Sequence, residues 1–488
     1  MDLNPLIKDG TLVPLTKGLT FPTSLSINSK AVKDGALFVA IPGTHHNGII
    51  FIGEAIGRGA CAIVAQGGDA KQLSDLQKHY PSVAFFETQD TRKAISLLAS
   101  KFYPLQPNNI VAVTGTNGKT SVVSFIRQIW TYLGIPAASL GTLGLIIEGK
   151  PYPPPTGTGG INTPDAISLH EILQNLKKEH IEHMAFEASS HGLHQHRLDG
   201  VKLKAAVFTN LTNDHLDYHQ TMESYFEAKS RLFKDLIDEK GYAVLNADIP
   251  EYKALASLCN NRGVSTISFG KAGKNIQLFS LIPHENEQEL HLSVEGKSYH
   301  FTLPLVGEFQ AYNVIAALGA VIACGGDIEK AIKACSYLTG VPGRLERIAP
   351  GVYIDYAHTP DGLLVALKAL RPHTLGKLWV VFGCGGNRDA LKRPMMGKIA
   401  EELADKIIIT DDNPRFENPA EIRKQVLEKC PRALEATTRR QAIQMAVEGR
   451  ESNDIVLIAG KGHETYQIEG DQAVPFNDSE EILKFLKP

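Results

Sequence analysis

Residues 114–121, Thr-Gly-Thr-Asn-Gly-Lys-Thr-Ser, contain the residue types that hold a nucleoside triphosphate. Gly115 and Gly118 carry no Cβ, so the backbone can come close to an anion. Main-chain N–H groups of Thr116, Asn117 and Ser121, around the start of a following helix, can then face phosphate oxygens. Lys119 brings a mobile positive charge to the β- and γ-phosphates, and the Thr120 hydroxyl can ligate Mg²⁺. A bare Gly-Lys-Thr is often no more than a strand–turn–helix corner with a solvated lysine. Here an apolar strand over 110–113 precedes it, and Val122, Ile126, Ile129 and Leu133 recur at helical spacing after it, which favours phosphate binding. The common phosphate loop has a glycine six residues before the lysine; this chain has Val113 there, so the loop is a shortened one.

Two further polar clusters follow apolar runs. The run 183–188 leads into a stretch containing Ser189, Gln195 and Arg197, and the run 204–209 leads into one containing His215. Open parallel sheets bind ligands beyond the carboxyl ends of their strands, so the three clusters are expected to converge on one crevice. Glu187 and His215 would then lie near the nucleotide phosphates, where carboxylate and imidazole suit Mg²⁺ or Mn²⁺. Taken alone, the histidine-rich loop reads as solvated surface rather than as a ligand set, and the convergence of strand ends brings the two readings level. Residues 221–237 read as one helix with Lys229 in its middle, a place where most lysines are simply solvated. The segment 151–160 is too rich in proline and glycine for regular structure and reads as a loop over the cleft. Asn162 and Thr163 follow it, with Pro164 starting a helix.

The elements that must position these groups alternate strand and helix, so the fold class is α/β. Residues 1–107 hold strands at 36–41, 62–65 and 83–86 and a helix at 53–58. Polar turns at 25–30 and 43–48 carry Ser29, Thr44, His45 and His46, and a linker is expected at 103–109. Residues 108–338 form a central region around the phosphate loop. In residues 339–488, strands at 352–354, 378–382, 406–410 and 455–458 each run into a polar cluster. Those clusters include Asp355, Arg388, Asp412 to Arg415, and Gly460 with Glu464. Two such faces in one chain suggest a site closed between domains.

Composition narrows the classes. The 488 residues suit about three domains. With 43% hydrophobic and 21% charged residues and a net charge of −3, the chain is an ordinary globular one without the basic surplus of a nucleic-acid binder. No run approaches the roughly 18 apolar residues of a membrane span. The opening Met1-Asp2-Leu3-Asn4-Pro5 shows no basic segment leading into an apolar core, so no secretory signal is expected and the cytoplasm is the expected location. The six cysteines are scattered without a C-x-x-C pair, which indicates neither a zinc site nor a disulfide framework.

The order of these motifs resembles the Mur ligases over essentially the full length, and within them the ligases that add the third residue of the peptidoglycan stem peptide. The shortened phosphate loop is similar to that of folylpolyglutamate synthetases as well. The resemblance implies a small α/β UDP-binding domain (1–107), a central P-loop ATPase-type parallel sheet flanked by helices (108–338) and a C-terminal Rossmann-like domain that takes the amino acid (339–488). It implies a monomeric ATP-dependent amide ligase. Such an enzyme joins UDP-N-acetylmuramoyl-L-Ala-D-Glu to an amino acid through an acyl phosphate, with ATP and two Mg²⁺, in peptidoglycan synthesis. Phosphoryl transfer needs positioning and charge neutralisation more than covalent help, and Lys119, Thr120 and Mg²⁺ meet that need. By the same resemblance Glu187 holds one Mg²⁺, His215 holds a second, and Lys229 is the family's carbamylated lysine (N6-carboxylysine), an anionic ligand of the metal site. Asn313, Arg344 and Asp355 match positions that hold the nucleotide. Ser29, Thr44, His45, His46, Asn162, Thr163, Ser189, Gln195 and Arg197 match the UDP-sugar-peptide side.

Asp412-Asn413-Pro414-Arg415 resembles the version found in meso-diaminopimelate-adding members, whereas lysine-adding relatives lack the arginine. Meso-diaminopimelate carries a second carboxylate where lysine ends in an ammonium. Arg415 offers a planar fork for that carboxylate and would repel lysine's ammonium. Arg388, Asn413, Gly460 and Glu464 complete the implied pocket, Glu464 suiting the distal ammonium. A lysine-adding ligase and a folylpolyglutamate-type ligase stand as alternatives; the latter lacks the preceding sugar-nucleotide domain and the Asp412–Arg415 pattern. A non-catalytic nucleotide-binding protein on this fold would be expected to lose Lys119, Lys229 or His215, and all three are present.

Overall fold

The apolar run from Ile110 to Val113 is buried on both faces and forms the middle of the strand that carries the phosphate loop. The computed structural model describes every residue except 1, 17–20, 44, 45, 69, 149, 153–161, 487 and 488. The chain divides into two compact units, residues 1–268 with 316–327 and residues 269–315 with 328–488.

In the first unit, β1 (Val13–Pro14), β2 (Ser24–Ser26), β3 (Ala36–Ala40), β4 (Ala60–Gln66) and β5 (Ala84–Thr88) form a sheet in the order β1-β5-β4-β3-β2. All its pairs are parallel except that of β1. The three expected strands are present. The polar turn expected at 25–30 instead supplies part of β2 and a 3₁₀ turn, Ser29–Ala31, capped by the Asn28 side chain.

A second sheet in this unit contains β6 (Asn109–Thr114), β7 (Ala137–Gly141), β8 (Gly144–Ile147), β9 (Lys150–Tyr152), β10 (His183–Glu187), β11 (Leu203–Phe208) and β12 (Ile237–Asn246). Their order is β12-β11-β6-β10-β7-β8-β9. The pairs from β12 to β7 are parallel, and β8 and β9 add an antiparallel edge. Register sets Glu187 beside Val113 and Phe208 beside Thr114, so β6, β10 and β11 end at one level, as ligand binding at a strand-end crevice requires. Ile110, Met184, Phe186 and Phe208 share a core with Leu169 and Leu173 of the helix Ala166–Lys178.

Three local expectations change. Pro164 does not start the helix: Asp165 caps it, its Oδ1 accepting the Ser168 N–H at 3.1 Å, which supplies an acceptor to an orphan N–H. In the segment 151–160, Pro151 and Tyr152 end β9, and the remainder lies outside the described residues. The helix expected over 221–237 is capped by Thr221 but ends at Arg231. A π-helical turn, Leu232–Leu236, follows, and Ile237 pairs with Leu203, so sheet pairing overrides the helical periodicity there.

His170 is fully buried in this unit, with Nε2 3.0 Å from the Asp199 carbonyl. Burial lowers its pKa from 6.5 to about 4, against the opposing pull of Asp199. The folded state therefore binds fewer protons than the unfolded one between those values. The stability involved is complete above the unfolded pKa and is lost as pH falls toward about 4. Going from neutral pH to about pH 5 should cost about 2 kcal/mol through this group. His170→Gln should remove that part of the acid sensitivity, read from urea midpoints at the two pH values.

The second unit begins with the end of β13 (Ser265–Gly270), where Phe269 and Gly270 pair with β14 (Ile276–Pro283). β14 continues into an antiparallel meander with β15 (Gln288–Val294) and β16 (Lys297–Leu303), for which the sequence reading has no counterpart. A six-stranded sheet follows: β17 (Glu346–Ala349), β18 (Val352–Asp355), β19 (Leu378–Phe382), β20 (Lys406–Ile409), β21 (Leu434–Glu435) and β22 (Ile455–Ala459). Its order is β17-β18-β22-β19-β20-β21, parallel throughout except for β17. The four strands read from the sequence are its middle. β23 (Tyr466–Glu469) and β24 (Gln472–Pro475) make a separate hairpin.

Candidate active site

After β6 the chain turns through residues 115–118 and enters the helix Lys119–Tyr132, with Gly118 at the N-cap in the left-handed region (φ 86°). Gly115 has φ 140°, and a Cβ there would lie 2.0 Å from Thr209 Oγ1. The close approach that demands glycine is thus to the end of β11. That end laces the loop in place. The Thr209 hydroxyl donates to the Asn117 carbonyl (2.6 Å), the Thr116 N–H to the Asn210 carbonyl (2.9 Å), and the Asn117 N–H to Asn210 Oδ1 (2.9 Å). Gly115→Ala should therefore cost about 3 kcal/mol of stability, through clash and backbone strain together. It should also weaken ATP binding at least about tenfold, measured by thermal denaturation and calorimetry.

Two lysines meet on this loop. The Lys119 ammonium donates to the carbonyls of Gly115 (2.9 Å) and Thr116 (2.7 Å), and Lys229 donates to the same Gly115 carbonyl (2.8 Å). Lys229 comes from the helix Met222–Arg231, is 1% exposed, and has its Nζ 4.5 Å from the centre of the Tyr225 ring. The solvated reading of this lysine does not hold. Burial first, then the charge of Lys119, hold its ammonium well below the usual lysine range, with Asp214 opposing. A buried neutral amine is a nucleophile rather than a counter-ion. The signal was present in the sequence: Tyr225, Ala228, Lys229 and Leu232 fall at i, i+3, i+4 and i+7, and all four are buried.

Glu187, at the end of β10, is buried, and its Oε1 accepts from the Thr120 hydroxyl (3.0 Å) and the Thr142 N–H (2.7 Å). A Cβ on Gly141 would stand 2.2 Å from that oxygen, so the glycine leaves room for the carboxylate. The Thr142 hydroxyl donates to Asn162 Oδ1 (3.1 Å). Thr163 donates to the Glu187 carbonyl (2.8 Å) and lies 2.9 Å from the Ser189 hydroxyl. Arg197 donates to the Thr163 carbonyl (2.7 Å) and to Gln195 Oε1 (2.8 Å). Asn162, Thr163, Ser189, Gln195 and Arg197 are thus tied through Glu187 and Thr142 to the phosphate loop. The rest of the predicted sugar-nucleotide set does not join this network. Ser29 donates to Glu54 Oε2 (2.6 Å), His46 is exposed with its ring 6.4 Å from that of Phe51, and Thr44 and His45 lie outside the described residues.

His215 precedes the short helix Leu216–His219 with φ 54°, its ring 5.0 Å from that of His191. His191 also packs on Tyr218 and His219, a ring cluster that the sequence suggested only as a histidine-rich loop. His194, Tyr218 and His219, with Asp90, Arg92 and Arg231, line a cavity of about 690 Å³. Sequence reasoning missed Asp90 and Arg92. Their only visible signal was Asp90 as a helix cap, accepting the Arg92 N–H at 2.8 Å, which marks a helix start and not a site.

In the other unit, Asn313 donates to Gln310 Oε1 (3.1 Å), Gln310 donates to the Arg344 carbonyl (3.0 Å), and the Arg344 guanidinium lies 4.9 Å from the centre of the Tyr356 ring. Asp355 Oδ2 accepts the Leu345 N–H at 2.7 Å; burial pushes this carboxyl up to about 6, opposed by Arg344. The three predicted nucleotide residues here are therefore neighbours, linked by a glutamine that was not foreseen.

The Asp412–Arg415 turn follows β20. Arg415 sits at φ 54°, and its Nη1 donates to the Gly386 carbonyl (2.9 Å) and more weakly to the Asn413 carbonyl (3.4 Å). Among the described residues no ion pair involves Arg415 and the next helix starts only at Pro419, so its Nε and Nη2 keep their donors. Asn413 is buried; its Oδ1 accepts from Lys461 Nζ (2.9 Å) and the Ile468 N–H (2.9 Å), and its Nδ2 donates to Glu464 Oε2 (3.1 Å). Lys461, absent from the sequence reading, is fully buried and also donates to Glu464 Oε2 (3.1 Å). Gly460 has φ 118°, and a Cβ on it would stand 2.8 Å from Asp412 Oδ2. Pro414 packs its carbonyl against Gly386, whereas Arg388 is exposed on the 383–389 turn. The segments that carry Arg415, Asn413, Gly460 and Glu464 lie side by side.

Three family models match the chain: "Mur ligase family, catalytic domain" over residues 23–103, "Mur ligase middle domain" over 113–321 and "Mur ligase, glutamate ligase domain" over 343–462. The UDP-N-acetylmuramoyl-L-alanyl-D-glutamate–2,6-diaminopimelate ligase of Caulobacter vibrioides is 46% identical over 469 residues, 95% of each chain. The protein of that name from a Chelativorans species is 42% identical over 484 residues, 98% of each. A solved structure of a ligase of that name aligns with a TM-score of 0.70 at 31% identity, covering 95% of this chain and 94% of that one. Similarity that runs through the phosphate loop, both units and nearly the whole length places the chain in the Mur ligase family.

Proposed function

We propose that this chain is the ATP-dependent ligase that adds meso-diaminopimelate to UDP-N-acetylmuramoyl-L-Ala-D-Glu in peptidoglycan synthesis, acting as a cytoplasmic monomer. Residues 1–107 would take the UDP moiety, 108–338 the ATP, and 339–488 the amino acid. A carboxylate is a poor acylating agent, so it first takes the γ-phosphoryl group of ATP. The amine then attacks the acyl phosphate, and the tetrahedral intermediate expels phosphate. Lys119 and the main-chain N–H groups at the start of its helix hold and neutralise the triphosphate, since the Thr116 and Asn117 N–H groups expected to do so are given to Asn210, while Asn313, Arg344 and Asp355 hold the rest of the nucleotide. Asn162, Thr163, Ser189, Gln195 and Arg197, with Ser29, Thr44, His45 and His46, orient the sugar-peptide.

The hard oxygens of Thr120 and Glu187, 3.0 Å apart, suit Mg²⁺. Mg²⁺ held there, and a second ion held by His215 and the carbamate of Lys229, supply further charge neutralisation when bound. The neutral amine of Lys229 forms that carbamate by adding to CO₂, making one N–C bond and releasing one proton to solvent. Its burial supports this reading.

The observation that carries the choice of amino acid is Arg415. It is held at a strand end by one nitrogen, with the remaining fork free for a second carboxylate beside Glu464 for the distal ammonium. Phosphate release from ATP, Mg²⁺ and UDP-N-acetylmuramoyl-L-Ala-D-Glu tests it, with meso-diaminopimelate or L-lysine added in turn. Release with diaminopimelate alone is expected; release with lysine alone would overturn the specificity, and release with neither would overturn the ligase.

A further inference from the structure

The meander β14–β16 carries a group of side chains that the ligase chemistry does not use. In β15 and β16 the residues Leu290, Leu292, Phe301 and Leu303 are buried, so Glu289, His291 and His300 point away from that core. His291 and His300 are direct cross-strand partners, and Glu289 lies two residues before His291 on the same face. Directly opposed residues on one face have Cβ atoms about 5 Å apart, close enough for two imidazoles to share a ligand. One ligand atom from each of Glu289, His291 and His300 lies within 4.8 Å of the others. The carboxylate is supported from the turn after β14: His284 Nε2 lies 3.2 Å from Glu289 Oε1, while His300 Nε2 lies 3.4 Å from Glu289 Oε2. The His284 main chain is fixed by its carbonyl, which accepts from His373 Nδ1, and by its N–H, which donates to the Glu287 carbonyl at 2.9 Å.

We propose that Glu289, His291 and His300 form a binding site for a divalent transition cation of the zinc class, with His284 orienting the carboxylate. Two imidazoles and one carboxylate offer three donors of the type Zn²⁺ takes, at bond lengths of about 2.0–2.2 Å, and water completes the four. All three stand on the β15–β16 hairpin, Glu289 half-buried and the two histidines exposed. The donor set is too rich in nitrogen for Mg²⁺, so the site is distinct in chemistry from the oxygen pair Thr120 and Glu187. The alternative, a carboxylate merely hydrogen-bonded to two imidazoles, leaves out His291, which packs edge-to-face on His300 with ring centroids 4.2 Å apart. Bound metal would clip β15 to β16 and to the 284–287 turn.

The test is calorimetric titration of the full-length protein, stripped of metal with a chelator, with Zn²⁺ in the presence of Mg²⁺. The variants are His291→Gln/His300→Gln together and, separately, Glu289→Gln. The expected result is one equivalent of Zn²⁺ bound by the parent, with affinity lowered at least about tenfold in each variant. Zn²⁺ should raise the melting temperature of the parent alone, and Mg²⁺-dependent ligase activity should match in all three. All three substituted positions are exposed or half-buried, so metal-free melting temperatures should agree and show that each variant is folded. No saturable Zn²⁺ binding by the parent would overturn the site. Binding that persists in the double variant, as it would if the His191, His194 and His219 cluster were the true ligand set, would overturn it equally.

Discussion

Lys229→Met should lower ligase turnover about 10³-fold while leaving the protein as stable as the parent or slightly more so. The two halves of that expectation rest on different physics. A lysine that is 1% exposed, with one acceptor, the Gly115 carbonyl at 2.8 Å, pays heavily to be charged, and burial with Lys119 nearby shifts it toward the neutral amine. Methionine fills the same channel beside Tyr225 without that cost, so melting temperature should not fall. Activity should fall because methionine cannot add CO₂, and the anionic ligand is lost. Lys229→Ala separates the carbamate from other roles of the amine: acetate or propionate diffusing into the truncated site should restore part of its turnover. Absence of rescue, with nucleotide still bound, would remove the carbamate from the mechanism.

Arg415→Ala should reduce kcat/KM for meso-diaminopimelate by about 10²–10³-fold, about 3–4 kcal/mol, with KM for ATP and the UDP substrate unchanged. The loss reflects a carboxylate left without its two-pronged partner. Arg415 also holds the Gly386 carbonyl at 2.9 Å, so the alanine variant loosens the 383–386 turn as well. Arg415→Lys distinguishes the two effects: lysine keeps one donor for the carbonyl but has no planar fork. It should restore stability while recovering only a small part of kcat/KM. Full recovery of kcat/KM by lysine would show that the arginine's contribution is the turn and not the substrate.

The parts of the fold legible in the sequence are those where one local rule acts alone. The buried run Ile110 to Val113, the glycines at 115 and 118 and the helical recurrence after them agree with one another, and β6 and its helix stand where they were read. Strands 352–354, 378–382, 406–410 and 455–458 were legible for the same reason. Where tertiary pairing decides, the reading ran out. Residues 232–237 continue a helical pattern yet turn into β12, because Ile237 has a strand partner in Leu203. The meander β14–β16 was unread: only a partner strand makes sense of so many exposed polar residues on one face. Gly115 was read as letting the backbone approach an anion; the close approach the structure shows there is to Thr209, a neighbour 94 positions away that no local rule can supply.

Lys461 has a bearing on how such a pocket can change its substrate over evolutionary time. Its ammonium is shared between Asn413 at 2.9 Å and Glu464 at 3.1 Å, two residues on separate segments that both belong to the proposed amino-acid pocket. Replacing either one to suit a different side chain leaves a fully buried charge with half its acceptors, at a cost of several kcal/mol. A lineage drifting toward another amino acid therefore meets strong epistasis here. The tolerated route begins with loss of the lysine's charge, after which Asn413 and Glu464 become free to vary separately; in the opposite order the intermediates are selected against before any new specificity exists.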